Sequence, residues 1–273
     1  VTDQQRMRFG ALPTGNVTHV MGVINLSPES RNGHTVATTP KQALEMARRY
    51  TDAGATLLDV GAQSSHYENP TISPDEELDR LLPALELLVG DGFLVSVDTW
   101  KPEVAAAAIA GGAVMINDTG GLGDQRMREL LSGDAVAAVV MYLEGENPHA
   151  VGEIAISDDK TEMMVPWFEK RLALLADQGL SNLILDPGIA INYRGDYSAY
   201  TRMQIEVIRR IKEFRCFGYP ILVPVPRKAE DHRVVAYITL AVESGADLIR
   251  VHDVEWACDL VRLLGRDPRS ERP

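Results

Sequence analysis

The chain has 273 residues, 45% apolar and 24% charged, a makeup that supports a large buried core and excludes disorder, collagen and disulfide scaffolds. With 39 acidic against 27 basic residues the formal charge is -12, so the surface as a whole repels nucleic acid and anionic membranes. One barrel or two ordinary domains both fit this length, because α/β barrels run to about 250 residues as one unit.

Taken in chain order, short apolar or β-branched runs alternate with longer amphipathic stretches. HVMGVINL (19–26) precedes a helical pattern, KQALEMARRY, opened by Thr39-Pro40. TLLDVGA (56–62) precedes DEELDRLLPALELL behind Ser73-Pro74, and FLVSVDT (93–99) precedes KPEVAAAAIA, with Thr99 and Pro102 at its start. VMIND (114–118), AVVMYL (138–143), NLILDPG (182–188), PILVPVP (220–226) and DLIRVHD (247–253) complete the series. Near-continuous apolar runs mean strands buried on both faces, hence parallel strands covered by helices. Ser, Thr and Pro stand where helices begin, and Gly54, Gly179 and Gly245 stand where a helix end needs a positive φ. Eight such units without a linker or composition break predict an α/β fold: a single (β/α)8 TIM barrel with eight parallel strands and the helices outside. It fills about residues 18–265 of one domain, 1–273, with short tails. A doubly wound open sheet is the runner-up.

In such a barrel the chemistry lies at the C-terminal ends of the strands. Here those ends are polar: Asn25 on strand one, Asp59 then Gln63, Ser64, Ser65 and His66 after strand two, and Asp98-Thr99 on strand three. Strand four ends in Asn117-Asp118, strand five leads to Tyr142 and Glu144, and strand six ends in Asp186. Arg227-Lys228 follow strand seven, and strand eight carries Arg250, His252 and Asp253. Any one of these side chains alone reads as a cap or an internal pair; the set does not. Carboxylates and amides gather on strands three, four and six, and cations on seven and eight, the corner that grips phosphate in many barrels. Asp98, Asn117 and Asp186 suit the edge of a flat, donor-rich heterocycle, with a lysine returning a donor. The residues alone thus indicate a transferase or hydrolase that holds an aromatic heterocycle beside a phosphate or diphosphate, with Mg²⁺ as a bridging ion.

The segments VMGVINLSPES, GATLLDVGAQSS, SVDTWKPEVAAAA, INDTGGL, LILDPGI, the pair Arg227-Lys228 and IRVHD together resemble the dihydropteroate synthase family, in its order and at about its spacing. The resemblance runs from Val20 to Leu263. It implies a TIM barrel that condenses 6-hydroxymethyl-7,8-dihydropterin diphosphate with p-aminobenzoate and releases pyrophosphate in folate synthesis. It implies that Asp98, Asn117, Asp186 and Lys228 hold the pterin, that Asn25, Arg250 and His252 hold the diphosphate, and that Asn25 meets its Mg²⁺. Asp98, Lys228, Arg250 and His252 are the expected catalytic group, acting by electrostatic stabilisation of the departing pyrophosphate without a covalent nucleophile. A homodimer through the late helices is implied as well.

The chain departs from the family pattern on the loops expected to form the second-substrate site. Ser27-Pro28-Glu29-Ser30-Arg31 stands where the family reads TPDSF, and Gly61-Ala62-Gln63-Ser64-Ser65-His66-Tyr67 stands for GGESTRPG. Pro226-Arg227-Lys228-Ala229 replaces Ser-Arg-Lys-Ser, and Ala190-Ile191-Asn192-Tyr193 replaces Gly-Phe-Gly-Lys. Glu29, Arg31, Ser65, His66, Arg227 and Ala229 are therefore candidates for the amine acceptor, either p-aminobenzoate or a different one. The alternatives are a pterin-binding paralogue without folate synthesis, and a pterin-dependent methyltransferase module, which would not need the cations of strands seven and eight.

Other features take plainer readings. Cys216 and Cys258 fit no zinc or CxxC spacing and read as buried apolar residues of a reducing compartment, the cytoplasm. No export signal and no run of about 18 apolar residues is readable, so neither a membrane nor nucleic acid is an expected partner. His34, His66 and His149 read as solvated loop residues rather than a zinc site. Trp100, Trp167 and Trp256 read as packing residues, Met163, Met164, Trp167 and Phe168 as a core or dimer stripe, and the charged tail after Leu264 as a frayed end.

Overall fold

The computed structural model describes residue 12 and residues 16–30, 32–66, 68–153, 157, 159–191, 197–226 and 231–271. Eight parallel strands appear in the predicted places: β1 (His19–Asn25), β2 (Leu57–Gly61), β3 (Val95–Asp98), β4 (Met115–Asp118), β5 (Ala137–Met141), β6 (Leu183–Asp186), β7 (Leu222–Pro224) and β8 (Leu248–Val251). The hydrogen-bonded order is β6-β5-β4-β3-β2-β1-β8-β7. A parallel bridge from Leu185 to Ile221 joins the two outer strands, so the sheet closes into a barrel.

The helices are α1 (Pro40–Ala53), α2 (Pro74–Gly90), α3 (Pro102–Ala110), α4 (Gln125–Leu130), α5 (Lys160–Asp177), α6 (Tyr197–Arg210), α7 (Asp231–Glu243) and α8 (Val254–Leu263). Thr39 and Ser73 cap α1 and α2 as expected, each accepting a backbone N–H from the first turn, with Pro at the first helical position. At α3 the cap position is Lys101, and Thr99 instead accepts the Lys101 N–H at 3.2 Å. Gly54, Gly179 and Gly245 all take positive φ.

Two apolar layers hold the structure together. Outside the barrel, residues such as Tyr50, Leu81, Leu85, Phe168 and Phe214 fill the space between strands and helices. Inside it, Met21, Leu57, Met115, Val139, Leu222 and Leu248 form a dry plug. The alternation of a strand then turns the residues two places further along toward the mouth.

Several local expectations are corrected. Cys258 is buried but Cys216 is exposed, because it sits on the outer side of the 3-10 segment Ile211–Phe217. Trp256 is 41% and Met163 42% exposed, while Met164 and Phe168 are buried, so the apolar stripe on α5 is only partly core. The tail is tied down rather than frayed: Asp267 is buried and accepts from Arg269, which begins to close a 3-10 turn, Pro268–Glu271. Among the described residues no helix is long and apolar enough to cross a membrane.

Candidate functional site

The polar centre of the barrel mouth is Asp59. It is fully buried, and parallel pairing sets it beside Ser96 on β3. Its carboxylate accepts from Ser96 Oγ at 2.7 Å, Asn117 Nδ2 at 3.1 Å and Arg250 Nε at 2.6 Å. Arg250 also donates from Nη2 to Asp98 at 2.7 Å, so one guanidinium bridges two strands' carboxylates. Thr119 lies against the other Asp98 oxygen at 3.4 Å.

Asp98, Asn117 and Asp186, expected at the pterin, and Arg250, expected at the diphosphate, thus share one electrostatic neighbourhood. Burial raises the Asp98 and Asp186 carboxyls, Asp186 to about 7, against the pull of Arg250 and, for Asp186, of the Gly188 N–H. Burial works to lower Arg250, but Asp59 and Asp98 outweigh it and the guanidinium stays firmly charged. Among the described residues three carboxyl groups face one cation here, which leaves the mouth acceptor-rich. One acceptor is conspicuous: Asn117 Nδ2 donates to Asp59, while Asn117 Oδ1 is buried without a hydrogen-bond partner among the described residues. A buried orphan of this kind marks a place where a donor belongs.

Asp186 is held by the turn that follows it. Gly188 donates its N–H to Asp186 Oδ1 at 2.6 Å with φ at 66°, and a Cβ there would lie 2.0 Å from the Tyr142 carbonyl. Only glycine permits that turn to press against the end of β5.

A second cluster lies across the mouth, over β1 and β8. Asn25 Nδ2 donates to Thr35 Oγ1 at 2.6 Å, and both Asn32 Nδ2, at 3.2 Å, and Thr35 Oγ1, at 3.5 Å, meet the ring nitrogens of His252. Asn25 and His252 are therefore brought together, with Arg250 turned inward beside them. Among the described residues no group of three His, Cys, Asp or Glu could hold a metal ion. The donor set here is a single amide oxygen, which fits an ion held mainly by ligand oxygens and water rather than by protein groups.

The loops after β1 and β2 are knitted to their surroundings. Glu29 pairs with Arg80 of α2 at 3.2 Å, and Arg80 also donates to the Ala62 carbonyl. Asn69 donates to Ser64 Oγ and the Glu29 carbonyl. His149 contacts Thr71 Oγ1 and the Ser64 carbonyl, each at 2.8 Å, and packs on Trp100. The picture of solvated histidines thus suits His34, 45% exposed, but not His149 or His66, whose side chain is 11% exposed beside Glu68. Ser65 is partly exposed on the same loop. Arg31, Arg227, Lys228 and Ala229 lie outside the described residues.

Sequence reading counted Asp59 among the polar strand ends without giving it a role; an aspartate inside an apolar strand run was the available signal. It missed Thr35 and Arg80, ordinary residues whose importance is set by distant partners. It also missed the buried cluster in which Lys101 donates to Gln63, Glu77 and the Ile72 carbonyl.

A closed parallel barrel with an acceptor-rich mouth and a separate polar corner over β1 and β8 defines a barrel enzyme of the kind that seats a small heterocyclic ligand. The sequence pattern of the pterin binding enzyme family matches residues 21–252, and the chain belongs to that family. The dihydropteroate synthase of Bacillus subtilis is 29% identical over 269 residues, covering 93% of this chain and 90% of that one. A Haloferax volcanii protein named probable bifunctional folylpolyglutamate synthase/dihydropteroate synthase is 32% identical over 271 residues, 94% of this chain, which spans 32% of that longer protein. Among solved structures, Thermus thermophilus dihydropteroate synthase in complex with 4-aminobenzoate aligns with a TM-score of 0.77 at 32% identity, covering 98% of this chain and 99% of that one. The Burkholderia cenocepacia enzyme complexed with 7,8-dihydropteroate aligns with a TM-score of 0.79 at 29% identity and 98% coverage of both chains.

Proposed function

We propose that the protein is a dihydropteroate synthase-type transferase that joins the CH₂ of 6-hydroxymethyl-7,8-dihydropterin diphosphate to an amine and releases pyrophosphate. The observation that carries this reading is the buried, unpartnered Asn117 Oδ1 set among Asp98 and Asp186 in a pterin-family barrel. A pterin presents a guanidine-like donor edge, and Asn117 with Asp186 supplies acceptors for it, with Lys228 returning a donor. Asp98 faces the ring system, where a carboxylate stabilises positive charge as the C–O bond to diphosphate breaks. The electron pair leaves with pyrophosphate, the amine nitrogen forms the new C–N bond, and the amine proton passes to solvent.

Asn25, Arg250 and His252 take the diphosphate end. In the present arrangement Arg250 spends Nε and Nη2 on Asp59 and Asp98, so Nη1 is the donor it offers to the leaving group. Asn25 would hold Mg²⁺ through its side-chain oxygen, and the ion would supply further neutralisation of the departing charge. Glu29, Arg31, Ser65, His66, Arg227 and Ala229 are the candidates for recognising the amine. The acceptor class is p-aminobenzoate or an amine related to it, since the departures from the family pattern fall on stretches of sequence between the strands and leave Asp98, Asn117, Asp186 and Arg250 unchanged.

The chain acts as one pterin-binding domain and as a homodimer, a reading supported by the exposed Trp256 and Leu263 on α8, 41% and 76% exposed. Two unpaired cysteines suit the cytoplasm. The test mixes the purified protein with the pterin diphosphate and Mg²⁺, with and without p-aminobenzoate, and follows pyrophosphate and product mass. Pyrophosphate release that requires p-aminobenzoate and gives dihydropteroate is expected. Pterin binding with no condensation product would overturn the transferase assignment for this acceptor and favour the altered-acceptor paralogue that the loop replacements suggest.

A further inference from the structure

The loop after β1 leaves the mouth at Ser27 and returns at Val36, which bridges Asn25, while Ala37 donates its N–H to the Asn25 carbonyl at 2.8 Å. At this return a 3-10 turn, Gly33–Thr35, sets Thr35 fully buried beside Asn25. Thr35 has one hydroxyl proton, and it goes to the Asn32 carbonyl at 2.9 Å. Toward its other neighbours the same oxygen can only accept. It accepts from Asn25 Nδ2 at 2.6 Å and, across a longer 3.5 Å, from His252 Nδ1.

Two consequences follow from that proton count. The Asn25 amide turns its nitrogen to Thr35, so its carbonyl oxygen is the end presented elsewhere. In the chain without ligand these contacts call for a proton on His252 Nδ1, with Nε2 accepting from Asn32 Nδ2 at 3.2 Å. Two separate neighbours thus select one tautomer. Nε2 meets the diphosphate as a donor once it is protonated and Asn32 gives way.

We propose that Thr35 is a positioning residue for the diphosphate end of the substrate: its hydroxyl fixes Asn25 with the oxygen toward the cation and holds the His252 ring by Nδ1. This rests on the transferase reading above and deepens it by adding a residue that touches neither substrate nor metal. It gives the first loop a second duty. The segment that carries Glu29, a candidate for the amine, also sets the geometry at the pyrophosphate end through Asn32 and Thr35. Hydrogen-bond partners of this outer kind determine which face of a ligating group is offered and how strongly.

The test uses the full chain with ¹⁵N-labelled histidine and three forms: wild type, Thr35→Val and Thr35→Ser. Nitrogen shifts at a pH above the imidazole range should show His252 protonated on Nδ1 in the wild type and in Thr35→Ser, and a smaller Nδ1-protonated fraction in Thr35→Val, where Asn32 alone is left to hold that tautomer. Calorimetry with inorganic pyrophosphate and Mg²⁺ as the probe should find binding weakened about ten- to a hundredfold in Thr35→Val and nearly restored in Thr35→Ser. Hydroxymethylpterin without the diphosphate should bind all three alike, which separates a local effect from a damaged barrel. A wild-type His252 protonated on Nε2 alone overturns the inference, whether or not the variants fold. Unchanged magnesium-pyrophosphate binding in Thr35→Val overturns it equally. A wild type that binds neither pterin nor pyrophosphate defeats the transferase reading instead, and the His252 tautomer then still decides the role of Thr35.

Discussion

The lower and upper halves of the barrel interior are made by the same strands and do opposite work. Leu57 on β2 and Met115 on β4 belong to the dry plug, whereas Asp59 and Asn117, two residues further along, join the polar layer above it. The apolar half needs only volume and alternation to be stable. The polar half is costly to bury and is tolerated because Asp59 gathers donors from three other strands. Stability and chemistry are therefore separated by a single strand repeat, and substitutions on either side of that line should have distinct signatures.

The largest effect is expected at Asp59. Replacing it with alanine strips Arg250 and Asn117 of a shared acceptor, and urea unfolding should show a loss of about 3–5 kcal/mol together with loss of pterin binding. Leu57→Ala probes the other side of the line: unfolding should report a loss of about 2–5 kcal/mol from the cavity, while the folded fraction keeps its pterin affinity. If Leu57→Ala damaged affinity as much as Asp59→Ala, the division between halves would not hold.

Titration sharpens the same contrast. Asp186 and Asp118 are both pushed to about 7 by burial, from an ordinary value of 3.8, so the folded chain holds these protons more tightly than the unfolded one. Stability should consequently fall as the pH rises from the ordinary carboxyl range through about 7. Arginine-paired carboxyls such as Asp124 and Asp267 are lowered instead, and their contribution is lost only at more acidic pH. Thermal unfolding across this range should show a shallower decline in Asp186→Asn; an unchanged slope would remove Asp186 from the account. The smallest effect belongs to the loops: Arg80→Ala releases Glu29, and because both side chains keep 24% exposure, stability should drop by about 1 kcal/mol or less. Its signature is a raised KM for the amine with the pterin KM unchanged.

The barrel was legible because eight apolar runs in a fixed alternation leave few other ways to bury both faces of each strand. Strand ends in the sequence also pointed to Asp98, Asn117, Asp186 and Arg250, and these do share the mouth. What the sequence did not disclose is pairing. Arg250 was expected to face phosphate, yet two of its nitrogens turn inward, since Asp59 lies on the neighbouring face of the closed barrel, 191 residues away in the chain. Lys101 stands at a helix start with nothing in the sequence to single it out, and its burial against Glu77 and Gln63 depends on how α2 packs. Thr35 is silent for the same reason: its partners Asn25 and His252 come from two other strand ends. Periodicity reports which face a residue occupies; hydrogen-bond partners are set by closure.

The central claim is that the polar layer is a seat for a pterin's donor edge, and direct binding tests it best. Calorimetric titration with the pterin diphosphate at pH 8 should give saturable binding to the wild type and binding weaker by roughly a hundredfold or more for Asp186→Asn, which cannot supply the charged acceptor. Equal affinity in the two proteins, or none in the wild type, would contradict it.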